Sequence, residues 1–192
     1  ELASGHGRPD ARSDIYLDGD PVAWTQVVHT LKARYYMHTK QYDLAYTESL
    51  AGIASPDQSL IAPHGNAAEN ANLNYSFFAV ETRQADLVVS DFMDALINPD
   101  ASSSPDISLY RGHSKTVESG RYAYLFHRTG FGIQPNTTPG AYAATDAPGY
   151  LVSYAENSLI LAEAGARVHG METGLGHLND YRIYLANGGY MT

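Results

Sequence analysis

The chain of 192 residues contains no cysteine. That absence excludes a disulfide framework, a thiolate metal site and catalysis by a cysteine nucleophile. Basic charge is also scarce, since 12 lysines and arginines stand against 21 aspartates and glutamates, for a net charge of -9. Nucleic acids and anionic membrane surfaces are bound by basic faces, so we expect neither as a partner. No apolar run approaches the length of about 18 residues that a membrane-spanning helix requires.

A secretory signal is missing as well. The chain opens Glu1-Leu2-Ala3-Ser4-Gly5, which is neither basic nor followed by an apolar core, and it has no initiator methionine. We therefore expect the sequence to be an internal or carboxy-terminal portion of a longer protein.

Tyrosine is the abundant aromatic residue, with 15 copies against five phenylalanines and one tryptophan. A tyrosine joins an apolar ring to a polar tip, which suits surfaces that must bind a ligand and remain hydrated. The composition favours a binding protein. The alternative, packing at helix interfaces, must account for at least half of these tyrosines.

The organising stretch is a predicted helical hairpin over residues 149–188. Leu151, Ala155, Leu159, Ala162 and Ala166 recur at steps of three and four, which predicts one buried helix face. Gly170 is placed to end that helix, and a second helical pattern runs from there to a pair of glycines. Small residues predict a seam along which the helices approach closely: Ala155, Ala162, Ala166 and Gly174.

A second hairpin is predicted over residues 20–54. Asp20 is a predicted N-cap and Pro21 the first helical residue. A buried stripe is predicted behind them, and a second helix over residues 42–53. The predicted stripe consists of Trp24, Val27, Val28, Leu31 and Tyr35.

Small residues twelve apart mark the helix crossings of tetratricopeptide repeats, and both hairpins carry such a pair, Ala33 with Ala45 and Ala164 with Gly176. The predicted fold is therefore mainly α, with tetratricopeptide-like hairpins and little β structure. Two unrelated hairpins are the alternative.

Residues 55–148, between the hairpins, read as a long irregular insert, because seven of the nine prolines lie there. We predict a polar loop over residues 67–74, a helix over 91–98 capped by Ser90 with Phe92 and Leu96 inward, a short strand over 122–126, and a loop over 130–148. A loop-rich insert on a helical scaffold is typical of a functional surface.

Three stretches of the sequence carry motifs in a characteristic order. The first is Asp14-Ile15-Tyr16-Leu17-Asp18-Gly19-Asp20, followed by Trp24 and Leu31-Lys32-Ala33-Arg34. The second is Asn74 with its trailing aromatics and then residues 88–96. The third is Tyr154-Ala155-Glu156 with Leu161-Ala162-Glu163-Ala164. Together these motifs resemble the SusD/RagB family of outer-membrane nutrient-binding lipoproteins of Bacteroidetes. The family's D-P-R turn is replaced by Ser104-Pro105-Asp106-Ile107, which lacks the arginine.

The resemblance implies a protein without enzymatic activity or cofactor that captures oligosaccharides or polysaccharides at the cell surface. It implies a SusC-like TonB-dependent transporter as partner, and an outer-membrane location through a lipid anchor outside this sequence. The helices would face the transporter, and the insert would hold the sugar.

Sugar capture requires aromatic rings against the apolar face of a pyranose and polar groups for its hydroxyls. The insert supplies both: Tyr142 is a further candidate ring, and Asn72 and Arg111 are polar residues nearby in sequence. We expect one of the adjacent pair Phe77 and Phe78 to be core. The predicted ligand contacts are Asn74, Tyr75, Phe77, Phe78, Tyr110, Tyr122, Tyr124 and Phe131.

Two other functions fit parts of the sequence. Glu156 and Glu163 are seven apart on one helix, and a carboxylate pair is what glycoside hydrolysis uses, although we expect Glu156 to pair with Arg167 or Arg182 instead. A tetratricopeptide-type adaptor that binds a protein or peptide would explain the hairpins but not the aromatic insert. The eight histidines show no metal-binding spacing.

Overall fold

A computed structural model describes residues 10–79, 83–100 and 118–189. Within these ranges the chain is mainly helical with short strands, which confirms the predicted fold class. The helices are α1 (Pro21–His38), α2 (Tyr42–Leu50), α3 (Leu73–Ala79), α4 (Asp91–Ile97), α5 (Ser119–Leu125), α6 (Tyr154–His169) and α7 (Met171–Ala186). The strands are β1 (Leu60–Ala62), β2 (Phe126–Thr129), β3 (Gly132–Pro135) and β4 (Gly149–Val152).

The chain divides into two compact units. The first, called the helical unit here, contains the chain up to Ala62 together with the chain from Tyr150 onward. The second, called the insert unit, spans Pro63–Gly149. No helix in the described residues is long and apolar enough to cross a membrane.

The helical unit begins with a loop built around the carboxylate of Asp14. This carboxylate accepts hydrogen bonds from the backbone amides of Tyr16, Leu17 and Gly19 and from Trp24 Nε1, the last at 2.6 Å. Burial by itself would raise the pKa of Asp14. The hydrogen bonds together lower this pKa by more than burial raises it, so it lies below the ordinary value of an aspartate. These hydrogen bonds therefore fix the position of the loop relative to the start of α1.

Helix α1 starts as predicted, with Asp20 accepting a hydrogen bond from the amide of Val22 at 2.8 Å and Pro21 in the first position. Its predicted stripe is wrong at Val28 and Tyr35, which are 43% and 64% exposed. The face that is buried carries small residues instead, because α2 and α6 both pack closely against it. Val28 follows the buried Val27 by one position, which is about 100° around the helix. The buried residues of α1 are Ala23, Val27, Thr30 and Ala33.

Two helix bounds of the helical unit differ from those predicted. Helix α2 ends at Leu50, and Ile53 is buried in the core as part of the following turn. Helix α6 starts only at Tyr154, where Ser153 Oγ accepts a hydrogen bond from the amide of Glu156. Leu151 lies in β4, and β4 pairs with β1.

The predicted inner face of α6 is wrong at Leu151 and Leu159, which are 50% and 48% exposed. The buried face of α6 is centred on a polar residue and small residues, so apolar periodicity alone misplaced it. The buried residues of α6 are Asn157, Ala162, Ala164 and Gly165.

The seam between α6 and α7 is as close as predicted at Ala162, Ala166 and Gly174. A Cβ atom added at Gly174 would lie 2.7 Å from the carbonyl oxygen of Ala162 and would also overlap the Ala166 side chain. Gly176 has open space around it, so the helices do not cross closely there. Gly170, with φ of 96°, ends α6 as predicted, because that backbone angle favours glycine.

Asn157 joins three helices of this unit through its carboxamide. Its Nδ2 donates to the carbonyl oxygens of Ser49 and Ile53, each at 3.0 Å, and its Oδ1 accepts from Thr30 Oγ1 at 3.2 Å. Thr30 Oγ1 in turn accepts from the amide of Ile53 at 3.0 Å. Asn157 is 4% exposed, so these bonds are shielded from water.

In the insert unit, helix α4 is capped by Ser90 as predicted, but the prediction that Phe92 points inward is wrong. Phe92 is 54% exposed, whereas Asp94, Ala95 and Ile97 are buried. The strand predicted over residues 122–126 is also wrong, because those residues belong to α5 up to Leu125 and β2 begins at Phe126.

Two predicted loops of the insert unit contain regular structure. Helix α3 begins at Leu73, within the loop predicted over residues 67–74, and strand β3 lies within the loop predicted over 130–148. Strands β2 and β3 form an antiparallel hairpin in which Phe126 faces Pro135 and Thr129 faces Gly132.

Replacing Asn157 with alanine should lower the free energy of unfolding of the helical unit by about 2–4 kcal/mol. The change removes the side-chain donor to the carbonyl oxygens of Ser49 and Ile53 and the acceptor for the Thr30 hydroxyl, in a place shielded from water. Urea denaturation followed by circular dichroism measures the effect, with Asn179→Ala on exposed α7 as the control. Equal stability of the two variants would contradict this account of the carboxamide.

Two glycine-to-alanine substitutions on α7 should have opposite effects. Gly174→Ala should destabilise the protein by about 1–3 kcal/mol, since its Cβ has no room at the seam. Gly176→Ala should stabilise it by roughly 0.5–1 kcal/mol, since alanine is the better helix former and its Cβ meets open space. Thermal denaturation of both variants checks the pair. A gain in stability from both would mean that the seam is loosely packed.

Candidate functional site

The predicted ligand contacts that the structure describes all lie in the insert unit, on α3, on α5 and in the β2–β3 hairpin. Tyr110 and the neighbouring Arg111 lie outside the described residues. The others fall into a group on α3, a tyrosine that reaches a buried carboxylate, an exposed tyrosine on α5, and Phe131 at the tip of the β2–β3 hairpin.

The α3 group includes one core residue, as expected for adjacent phenylalanines. Phe78 is 7% exposed and presents no face to a ligand, while Phe77 is half-buried with its ring centroid 5.2 Å from that of Phe78. The guanidinium of Arg83 lies 5.7 Å from the Phe77 ring centroid. Asn74 is exposed and Tyr75 half-buried. Of this group, Asn74, Tyr75 and Phe77 retain accessible surface.

Asn72, also named as a candidate, holds the backbone of the insert unit together. Its Nδ2 donates to the carbonyl oxygen of Ala147 at 2.9 Å, and its Oδ1 accepts from the amide of Asn74 at 2.8 Å. The residue is 5% exposed. Its polar atoms are therefore engaged within the fold.

Tyr122 is fixed by a buried carboxylate that sequence reasoning missed. Its Oη donates to Asp94 Oδ1 at 2.6 Å, and the carboxylate of Asp94, which is fully buried, also accepts from Asn98 Nδ2 at 3.0 Å. Burial raises the pKa of Tyr122, and the hydrogen bond to Asp94 raises it further, to about 12. The Tyr122 phenol therefore anchors α5 to α4.

Tyr124 and Tyr142 form an exposed pair of aromatic rings in the insert unit. The two rings are 46% and 45% exposed, and they meet edge to face with centroids 6.4 Å apart and an interplanar angle of 77°. The amide of Tyr142 donates to the carbonyl oxygen of Tyr124 at 3.1 Å, so the backbones are bonded directly beneath the rings. We call these two residues the tyrosine pair.

Asn136 holds the loop that carries Tyr142. Its Nδ2 donates to the carbonyl oxygen of Ala123 at 2.6 Å, and its Oδ1 accepts from the amide of Thr138 at 3.0 Å. Its backbone amide donates to the carbonyl oxygen of Leu125 and its carbonyl oxygen accepts from the amide of Ala143. An asparagine side chain that accepts a hydrogen bond from the amide two residues later is typical of a turn, so the presence of Asn136 in the sequence does indicate this turn.

Phe131 is a further exposed aromatic residue, at the tip of the β2–β3 hairpin. The ring is 51% exposed, and its backbone amide donates to Thr129 Oγ1 at 3.1 Å. No ring contact joins Phe131 to another aromatic residue in the described part of the chain. Phe131 is therefore an exposed ring that is separate from the tyrosine pair.

The carboxylates considered for hydrolysis are both engaged in ion pairs. Glu156 binds Arg34 through two contacts, of which Nη2 to Oε2 is 2.6 Å, and the expected pairing with Arg167 or Arg182 is wrong. Glu163 pairs with Arg167 one helical turn away, at 2.7 Å. Arg34 is far from Glu156 in sequence and meets it only because α1 packs on α6, so spacing along one helix did not reveal the pair.

Among the described residues, no group of three or more histidine, aspartate or glutamate side chains is arranged to hold a metal ion. No protein-family model matches the chain, and no curated protein matches it in sequence.

The pKa of Tyr122 reflects its burial and its hydrogen bond to Asp94. The pKa of Tyr122 is raised from the ordinary 10 to about 12 in the folded protein. The contribution of its protonated phenol to folding stability is therefore complete below pH 10 and is lost as the pH rises through 12. Urea denaturation at several alkaline pH values should therefore show a decline in stability that Tyr122→Phe lacks. Asp94→Asn should lower the tyrosine pKa only part of the way, since burial is the larger cause. The same pH dependence in the wild type and in Tyr122→Phe would contradict the assignment.

Proposed function

We propose that this chain is a non-catalytic, carbohydrate-binding protein of the SusD/RagB kind. It captures oligosaccharide or polysaccharide nutrients at the outer-membrane surface and delivers them to a SusC-like TonB-dependent transporter. The tyrosine pair is the observation that carries the proposal.

The chemistry of the tyrosine pair suits a sugar. Two nearly perpendicular rings present apolar faces in two directions, and a pyranose buries its apolar face against such a ring while its hydroxyls stay hydrated. Both rings stand on backbone segments that are hydrogen-bonded to each other, so little conformational entropy is lost on binding.

Contacts between the motif residues support the family resemblance. Asp14 of the first motif bonds the indole of Trp24 of the same stretch. Arg34 of the first stretch binds Glu156 of the third in a bidentate ion pair, although 122 positions separate them. Residues that carry the resemblance are thus the ones that join α1 to its entry loop and to α6.

The engagement of the carboxylates favours capture over hydrolysis. A glycosidase requires two carboxyl groups facing the scissile bond, one of which is protonated to act as the acid. Glu156 and Glu163 are instead each bound by an arginine guanidinium, of Arg34 and Arg167 respectively.

Titration calorimetry against a panel of neutral oligosaccharides tests the proposal. A glucan, xylan or mannan fragment should bind saturably and remain uncleaved. Tyr124→Ala and Tyr142→Ala should each weaken binding about tenfold, a loss near 1.4 kcal/mol, and the double variant should abolish it.

The matched control is Tyr35→Ala, which removes a 64% exposed tyrosine from α1 in the helical unit and should leave affinity unchanged. Binding that survives loss of both rings would move the sugar site elsewhere. Cleavage of the ligand would contradict a non-catalytic role. Absence of binding to any glycan, with capture of a protein from outer-membrane extracts, would favour the adaptor function.

A further inference from the structure

A cavity of about 230 Å³ lies within the helical unit, between the end of α2 and helices α6 and α7. Since a water molecule occupies about 30 Å³ of liquid, the space suits a ligand of several non-hydrogen atoms. None of the residues considered for sugar capture lines it. The lining residues that matter below are Ser49, Ile53, Tyr154, His177, Asp180 and Tyr181.

One wall of the cavity is aromatic. The rings of Tyr154 and Tyr181 have centroids 6.1 Å apart and are inclined by 65°, so they form a corner rather than a flat stack. Tyr184 packs behind both, with its centroid 5.3 Å from that of Tyr154 and 6.2 Å from that of Tyr181. The corner is therefore held in place by a third ring.

A carboxylate lies beside this aromatic corner. Helices α6 and α7 contain four acidic side chains, and the two on α6 are paired with arginines. Asp180, one of the two on α7, lines the cavity and has no ion pair or hydrogen bond within the described residues. Glu172, the other, does not line it. The cavity wall thus carries a carboxylate that is exposed to solvent and forms no ion pair within the described residues.

The remaining polar groups on the wall are a serine and a histidine. Ser49 is 2% exposed, and its Oγ has no hydrogen-bond partner among the described residues. His177 lies with Nε2 3.2 Å from Tyr46 Oη, which fixes the position of its imidazole. Neither group contributes a permanent positive charge.

We propose that this cavity binds a small organic cation, an alkylammonium group of about the size of choline. Aromatic ring faces attract a cation through their quadrupoles, and corners of tyrosine rings are a recurrent way of binding ammonium groups. The carboxylate of Asp180 adds Coulombic attraction. An anion would be repelled, and a neutral molecule of the same shape would gain neither interaction. The proposal is independent of sugar capture.

The test compares choline with its uncharged isostere dimethylbutanol, which has the same shape with carbon in place of the nitrogen. Each is titrated into the ¹⁵N-labelled chain, and amide chemical shifts are followed. The titration is run at pH 8. Choline should produce saturable shifts at Ser49, Ile53 and Tyr181, and dimethylbutanol should bind about tenfold more weakly or worse.

Two variants separate charge from shape. Asp180→Asn removes the charge from an exposed side chain without changing its size, and it should weaken choline binding about fivefold or more. Glu172→Gln removes a charge from the same helix outside the cavity and should leave binding unchanged.

Three outcomes would overturn the proposal: no saturable shifts with choline, equal affinity for choline and dimethylbutanol, or equal losses from Asp180→Asn and Glu172→Gln. None of them bears on sugar binding, which calorimetry with the Tyr124 and Tyr142 variants measures separately.

Discussion

The helical unit depends on the buried carboxamide of Asn157. An amide side chain has two donors and an acceptor, and here they bind the carbonyl oxygens of Ser49 and Ile53 and the hydroxyl of Thr30. These bonds satisfy buried polar groups where α2 ends. The end of α2 also lies close to α1 at this point, because a Cβ atom added at Gly52 would lie 2.6 Å from Thr30 Oγ1. The packing of α1, α2 and α6 thus has one permitted register.

Ion pairs add a second constraint at the outer part of this interface. Arg34 forms a bidentate pair with Glu156 and also donates to the carbonyl oxygen of Leu151 at 3.0 Å. A planar guanidinium binds a carboxylate only in a fixed orientation, so this pair sets the rotation of α1 relative to α6. The insert unit uses the same principle in its interior, where the buried carboxylate of Asp94 fixes Tyr122 and so the direction of α5.

The two proposed binding surfaces differ in the chemistry that they offer. The tyrosine pair is open, with neighbouring polar atoms committed to holding its loop, and this arrangement suits a ligand that stays largely hydrated. The cavity of the helical unit is lined by tyrosine rings and a free carboxylate, which suits a compact charged group. Tyrosine residues therefore suit different classes of ligand in the two places, because they are open to solvent in the tyrosine pair and line a cavity beside a carboxylate in the helical unit.

Sequence alone determined the features that depend on near neighbours. The caps at Asp20 and Ser90, the stop at Gly170 and the small-residue seam at Gly174 rest on backbone geometry within one or two turns. Only the tertiary structure decided which faces are buried, which glutamate meets which arginine, and which tyrosines form a pair. Apolar periodicity misplaced the inner faces of α1 and α6, because polar and small residues fill those interfaces. Tyr124 could be named as a candidate from its type, but its partnership with Tyr142 depends on a loop held by Asn136, and bonds between distant segments leave no local pattern.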